Sequence, residues 1–375
     1  MLSILVAAVN ILTVLDKIDP ERLQATVEKL ASFHTRNTFS PTLNDAADWL
    51  AGEYRKIPGV QVELMTYTPP KGRRIPEEKE VVQVVATLTG EDDRALIVGG
   101  HIDSLNLQGG IDGRAPGAND DASGTALALE VARAMAGRKW KHTLKFVGWT
   151  GEEQGLHGSR AMAKKARAEG WKIDAVLSND TVGSSSNRNG QKDDKRVRVF
   201  SEASDSHRSR ELARFIAWLV REDKFGVKLV FRKDRFGRGG DHSPFNDEGF
   251  SAVRFVEVHE EYTRQHTEDD LPEHMDFSFL ANVAGVNLRV LSALANAGAP
   301  PSDVEIDRRQ GHDTTIKWVA VLGTEYMVYW RETTSPTWQS SRKVGAVSQT
   351  TIEKVNKDDH VFAVGAVGGI PVEAK

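Results

Sequence analysis

Residues 95–124 read ALIVGGHIDSLNLQGGIDGRAPGANDDASG, and residues 143–153 read TLKFVGWTGEE. Ala95–Gly99 is short and wholly apolar, as parallel strands covered on both faces are. His101 and Asp103 follow it directly. Asn119, Asp120 and Asp121 then lead into Ser123–Ala136, an Ala/Leu-rich stretch that predicts a helix. Thr143–Trp149 predicts a second strand, with Glu152 and Glu153 just beyond it. Strand, polar loop, helix and strand in that order make an α/β unit. The polar loops fall beyond the carboxyl ends of the strands, where open parallel sheets hold their ligands.

The same alternation extends in both directions. Asn44–Ile57 predicts an amphipathic helix with Ala46, Leu50, Tyr54 and Ile57 on one face. Val60–Tyr67, Val81–Leu88, Ile173–Leu177 and Ala252–Glu257 predict strands. Gly158–Ala168, His207–Glu222 and Phe277–Ala297 predict helices. The expected fold over residues 1–299 is α/β, a mostly parallel, mixed central sheet sandwiched by helices. Ala297–Ser302 (AGAPPS) has linker chemistry, and helical periodicity ends there. Val304–Ile306, Thr314–Val321, Tyr326–Arg331, Thr350–Val355 and His360–Val367 are β-rich, so residues 300–375 are expected to form a small all-β sandwich.

Composition narrows the function classes. The 375 residues are 39% hydrophobic and 27% charged, which suits a globular chain. There is no cysteine, which excludes a disulfide scaffold, a thiolate zinc finger and a cysteine nucleophile. No G-x-S-x-G elbow is present either. The net charge is −4 and no basic run stands out, so nucleic acid is not an expected partner. Met1–Leu15 (MLSILVAAVNILTVL) is the longest apolar stretch, shorter than the roughly 20 residues of a membrane span. It has no Lys or Arg before its apolar core, and it is read as a helix docked on the domain, with a processed export signal as the alternative.

The strand ends carry the chemistry. They deliver His101 and Asp103, Asp120, Glu152 and Glu153, Asp180, then His259 and His266. Two imidazoles and three carboxylates can hold two divalent ions if one carboxylate bridges. Nitrogen and oxygen donors suit zinc, with cobalt or manganese as substitutes. Adjacent residues point in different directions, so one of Glu152 and Glu153 can bind metal while the other accepts a proton from water. Taken singly, Asp120 would read as a helix N-cap and the Glu pair as solvated carboxylates at a helix start. The donor inventory alone does not say which carboxylate has which role.

Five blocks in one order resemble the M28 family of di-zinc peptidases, which includes bacterial aminopeptidases: HIDS (101–104), GANDDASG (117–124), GEEQGLHGS (151–159), SND (178–180) and QHTEDD (265–270). The likeness spans roughly residues 80 to 295. The resemblance implies His101 and Asp180 on one zinc ion, Glu153 and His266 on the other, and Asp120 bridging both. It implies Glu152 as the general base and Asp103 as the carboxylate that orients the His101 imidazole. It favours His266 over His259 and His274. A further matching block, GGDHSPFNDEGFSAV (239–253), would place Asp241 and His242 near the substrate cleft. The implied activity is that of a zinc-dependent exopeptidase, an aminopeptidase first, acting on peptide or protein N-termini and secreted or periplasmic. A carboxypeptidase shares the fold; it would need a cationic pocket, for which Arg235 and Arg254 are candidates. A glutaminyl cyclase with one working zinc also shares it. An inactive adhesion module is the reading from a different class.

The C-terminal run resembles a fibronectin type III module. Trp318 stands where such modules place a core Trp, YMVYW (326–330) reads as the next strand, and Phe362 takes the place of the usual Tyr in a late strand. Surface or polymer contact, through Trp residues such as Trp330 and Trp338, is the matching expectation. Elsewhere, His157 reads as a surface or cleft-wall residue and Asp121 as a local hydrogen-bonding group. His34, His142, His207, His312 and His360 read as solvated. Arg235, Arg238, Gly239 and Gly240 read equally as a substrate-facing or a plain surface loop. Asn179-Asp180-Thr181 matches a glycosylation acceptor, which its position at the proposed centre argues against.

Overall fold

The structure is a computed structural model that describes residues 17–375 apart from Arg73, so the expectation for Met1–Leu15 lies outside the described residues. In chain order the elements are α1 (Pro20–Ala31), α2 (Thr42–Arg55), β1 (Val60–Tyr67), β2 (Val81–Leu88), β3 (Arg94–His101), α3 (Ser123–Met135), β4 (Thr143–Trp149), α4 (His157–Ala168), β5 (Lys172–Asn179), β6 (Arg196–Phe200), α5 (Ser209–Leu219), β7 (Gly226–Val230), α6 (His242–Asp247), β8 (Ala252–Glu257) and α7 (Phe277–Leu294). The β-rich remainder holds β9 (Ser302–Ile306), β10 (Thr314–Val319), β11 (Tyr326–Glu332), β12 (Ser340–Gly345), β13 (Gln349–Ile352), β14 (His360–Ala366) and β15 (Val372–Glu373).

Eight strands form one mixed sheet in the order β1-β2-β4-β3-β5-β8-β6-β7. The middle four, β4-β3-β5-β8, run parallel. β2 joins β4 and β6 joins β8 antiparallel. The parallel centre is buried on both sides, which is why β3 and β8 read as continuous apolar runs rather than alternating ones. On one face Leu23, Leu50, Leu127, Leu212 and Leu288 bring α1, α2, α3, α5 and α7 into a common core. On the other, Met162 and Phe245 pack α4 and α6 against Val147, Trp149 and Val176. Helix α7 is the one helix among the described residues long and apolar enough to cross a membrane. Here its buried positions, Leu280 to Leu294, serve that first core.

The elements that sequence patterning leaves out are short or locally encoded. Helix α1 starts from a side-chain cap, Asp19, whose carboxylate accepts from the Glu21 and Arg22 amides, with Pro20 at the first turn. Strands β6 and β7 expose part of their side chains near the sheet edge, so no apolar run marks them. The helix expected over His207–Glu222 begins later, at Ser209, because His207 bonds the Ser209 hydroxyl at 2.8 Å.

The C-terminal residues form two small antiparallel sheets, β13-β10-β9 and β12-β11-β14-β15. Val304, Ile316, Trp318, Tyr326, Val328, Phe362 and Val364 fill the space between them. The outer face of the larger sheet is not free. Tyr329 and Trp338 pack there with Trp218 of α5, and the Trp218 and Tyr329 rings meet edge to face at 5.7 Å. Trp338 is thereby 3% exposed, committed to this contact rather than to a ligand.

Candidate metal centre

The four parallel strands aim their carboxyl ends at one point. His101 is the last residue of β3, Asp180 follows β5 directly, and Glu152 and Glu153 follow β4 after a two-residue turn. His266 comes from the loop after β8, and Asp120 from an irregular turn, Ala118–Ala122, that feeds α3. That turn sits close to the sheet because Gly124 stands in the first turn of α3: a Cβ there would lie 2.0 Å from the Asn179 carbonyl oxygen.

Asp120 presents its two oxygens to different imidazoles. Oδ1 lies 3.1 Å from His101 Nε2, and Oδ2 lies 3.0 Å from His266 Nε2. Asp180 Oδ2 is 3.8 Å from His101 Nε2, and Glu153 Oε2 is 3.1 Å from His266 Nε2. Ligands set tetrahedrally at zinc-like distances stand about 3.3 Å apart, so the spacing fits such an ion. Two three-residue groupings have ligand atoms within 4.8 Å of one another: His101 with Glu152 and Asp180, and His101 with Asp120 and Glu153. Buried His101 Nε2, Glu153 Oε1 and Asp180 Oδ1 have no hydrogen-bond partner within the chain. Buried polar atoms left so are costly, and cations held among them would satisfy all three.

The electrostatics agree. Burial pushes Glu152 well above the usual carboxylate range, with Asp180, Glu153 and Asp241 adding to the rise. Burial and Asp120 also raise Glu153. Burial works against the His266 imidazolium, yet Asp120 and Glu153 hold its pKa up to about 11. The chain thus crowds anionic groups until protons or cations must enter.

Several supporting groups carry no motif of their own. Asp270 accepts from the main-chain N–H of Asn119 and of Asp120, both at 2.9 Å, and so ties the His266 loop to the Asp120 turn. Buried Arg36 donates to the carbonyls of Ile102 and Gly117 at 2.7 and 2.9 Å, fixing the two loops that carry His101 and Asp120. Arg254, 1% exposed, reaches Asp180 at 2.7 Å and Asp234 at 2.9 Å. Only Gly fits above it at 240, where a Cβ would meet the guanidinium at 2.8 Å. Gln265 donates to Asp120 Oδ2 at 2.5 Å. The QHTEDD block held Gln265 and Asp270 in plain view; nothing local marked Arg36.

Other expectations need amending. Asp103 faces His101, but the shorter contact, 2.9 Å, is from His101 Nδ1 to the Asp103 main-chain oxygen; its carboxylate stands at 3.5 Å. That carboxylate also accepts from Thr38 at 3.1 Å and from the Glu153 amide at 3.2 Å, holding the Glu152–Glu153 turn. Asp241 and His242 are buried and do not line the cleft themselves, though Asp241 stands near enough to act on Glu152. His142 is not solvated but fully buried, bonded to Asp92 at 2.8 Å and to the Ala297 oxygen at 3.0 Å, and His207 is buried at the start of α5. Asp121 accepts from the His101 and Gly124 amides, the local role expected of it. Asn179 is buried and bonded to Asn287 at 3.1 Å, which removes it as a glycosylation acceptor.

A cleft of about 850 Å³ opens over Glu152, Asp180 and His266, with His157 on its wall. A mixed sheet that gathers imidazoles and carboxylates under an open cleft defines a metallohydrolase-type α/β protein. The model of peptidase family M28 matches residues 83–291, and the chain belongs to that family. It is 36% identical to a probable zinc metalloprotease of Leptosphaeria maculans over 407 residues, covering 96% of this chain and 94% of the relative. Among solved structures it resembles the LapA aminopeptidase of Legionella pneumophila, with a TM-score of 0.61 at 22% identity over 76% of this chain and 75% of that one. It also resembles the glutaminyl cyclase of Fimbriiglobus ruber, with a TM-score of 0.58 at 19% identity over 72% and 94%. These two likenesses establish the fold.

Proposed function

We propose that the chain is a two-zinc aminopeptidase. His101 and Asp180 would hold one ion, Glu153 and His266 the other, and Asp120 both. The observation that carries this is the division of the Asp120 oxygens between His101 and His266, each with a second carboxylate beside it. The zinc named for the fungal relative supports the choice of metal. When bound, the ions supply Lewis acidity, polarising a carbonyl and acidifying water.

The chain's own residues do the rest. Glu152 is half-buried on the cleft wall. It takes a proton from the attacking water and hands it to the leaving amine nitrogen, with no covalent intermediate. Asp103 holds the Glu152–Glu153 turn by its amides. The acidic inner end of the cleft suits a substrate α-ammonium. The carboxypeptidase alternative loses its candidates, since Arg254 is engaged by Asp180 and Asp234 and Arg235 by Asp234 and Glu260. The three-strand and four-strand sheets of the C-terminal part support a fibronectin-like module.

The test pairs activity with metal content. Leucyl-p-nitroanilide should be cleaved and its N-acetyl form should not; the reverse pattern would overturn the reading. Glu152→Gln should keep its metal and lose about 10²–10⁴-fold in kcat.

A further inference from the structure

The guanidinium groups of the cleft wall have unequal shares of carboxylate. Arg254 is spent on Asp180 and Asp234, and Arg235 on Asp234 and Glu260. Glu260 also pairs with Arg198, accepts from the Tyr262 hydroxyl at 3.0 Å, and lies 4.0 Å from Arg238. Apart from the Arg254 bond to Asp180, the four arginines Arg198, Arg235, Arg238 and Arg254 share Asp234 and Glu260. Arg238 has the weakest share; its closer bond is to the neutral Gln265 Oε1, at 2.9 Å.

The 70–75 loop repeats this arrangement. Arg74 donates to the Glu153 main-chain oxygen at 2.7 Å. Among the described residues no carboxylate lies within ion-pair distance of Arg74 or of its neighbour Lys71. Arg74, Lys71 and Arg238 all line the cleft that opens over Glu152. A guanidinium oriented by a neutral acceptor keeps its full charge and has N–H donors left for a planar anion. Arg74 and Arg238 are held beside the acidic centre, one by the Glu153 oxygen and the other by Gln265, whose amide reaches Asp120, so a peptide whose N-terminal residue sits over the centre runs past them.

We propose that Arg74 and Arg238 form a carboxylate-recognising subsite on the cleft wall, selecting peptides with an anionic group on the leaving side of the scissile bond. This rests on the aminopeptidase reading for its direction. The carboxylate comes either from an acidic side chain or from the free C-terminus of a short peptide.

The experiment uses the full chain and two substrate pairs. Ala-Glu amide against Ala-Gln amide tests the side chain, and Ala-Gly against Ala-Gly amide tests the terminal carboxylate. In at least one pair the anionic member should have kcat/KM higher by about tenfold, through KM, with the advantage shrinking as salt rises. Arg74→Gln with Arg238→Gln should bring the pair to parity, and Arg238→Lys should restore part of the difference. Calorimetric binding of the same pairs to Glu152→Gln protein needs no turnover and should show the same ratio. Equal affinities in both pairs, no binding of any member, or a preference that survives the double substitution overturns the subsite. A binding preference without cleavage of any free-amine peptide supports the subsite and overturns the aminopeptidase reading instead.

Discussion

At the scale of single residues, the centre depends on groups that never touch a ligand ion. Asp270 is the clearest: its two oxygens hold the amides of Asn119 and Asp120 from a loop that also carries His266. Asp270→Asn removes one acceptor and one negative charge, and both changes weaken a cation site. Zinc affinity should fall about 10–100-fold by competition with a chelating dye, while the folded far-UV spectrum persists. Unchanged affinity would show that the Asp120 turn holds its shape alone. The gathered groups His101, Asp120, Glu152, Glu153, Asp180 and His266 were legible because they lie in the loops beyond the strand ends and five blocks recur in order. The supports were not, because Arg36 and Arg254 act through backbone carbonyls and distant carboxylates that only folding brings near.

At the scale of elements, strands β1, β2, β4 and β8 were legible to the residue: β2, β4 and β8 write themselves as largely apolar runs because they are buried, and the edge strand β1 shows in its β-branched and aromatic residues. Helix α6 was not: six residues opening with His242 give no periodicity. Its burial has a consequence for acid stability. Burial lowers the His242 pKa to about 4, against an opposing pull from Asp234. The unfolded value is about 6.5, so the folded chain binds fewer protons between them. Stability from neutral His242 is therefore complete above about pH 6.5 and lost as pH falls toward 4, by about 3 kcal/mol in all. Denaturant titrations of His242→Gln across that range should lack this part of the slope; an unaltered slope would assign it to other groups.

At the scale of the whole molecule, the C-terminal sheets are a docked part rather than a pendant one. The linker chemistry of residues 297–302 signalled a boundary, but nothing in it signalled the contact of Trp218 with Tyr329 and Trp338, since aromatic residues on different elements show no shared pattern. Arg214 adds a bond to the Pro336 oxygen at 3.1 Å, and Arg208 one to the Ile370 oxygen at 3.1 Å. Trp218→Ala should cost about 1–3 kcal/mol of stability by urea denaturation. If the parts were independent, the substitution would leave the C-terminal transition untouched. The same integration applies to the proposed metal centre, whose five proposed donors are spread over 166 positions, from His101 to His266. Metal content per chain, by elemental analysis of the native protein beside Asp120→Ala, tests that convergence most directly. The account predicts about two divalent ions in the native chain and about none without the shared carboxylate; one ion in the native chain, or two retained after the substitution, would contradict it.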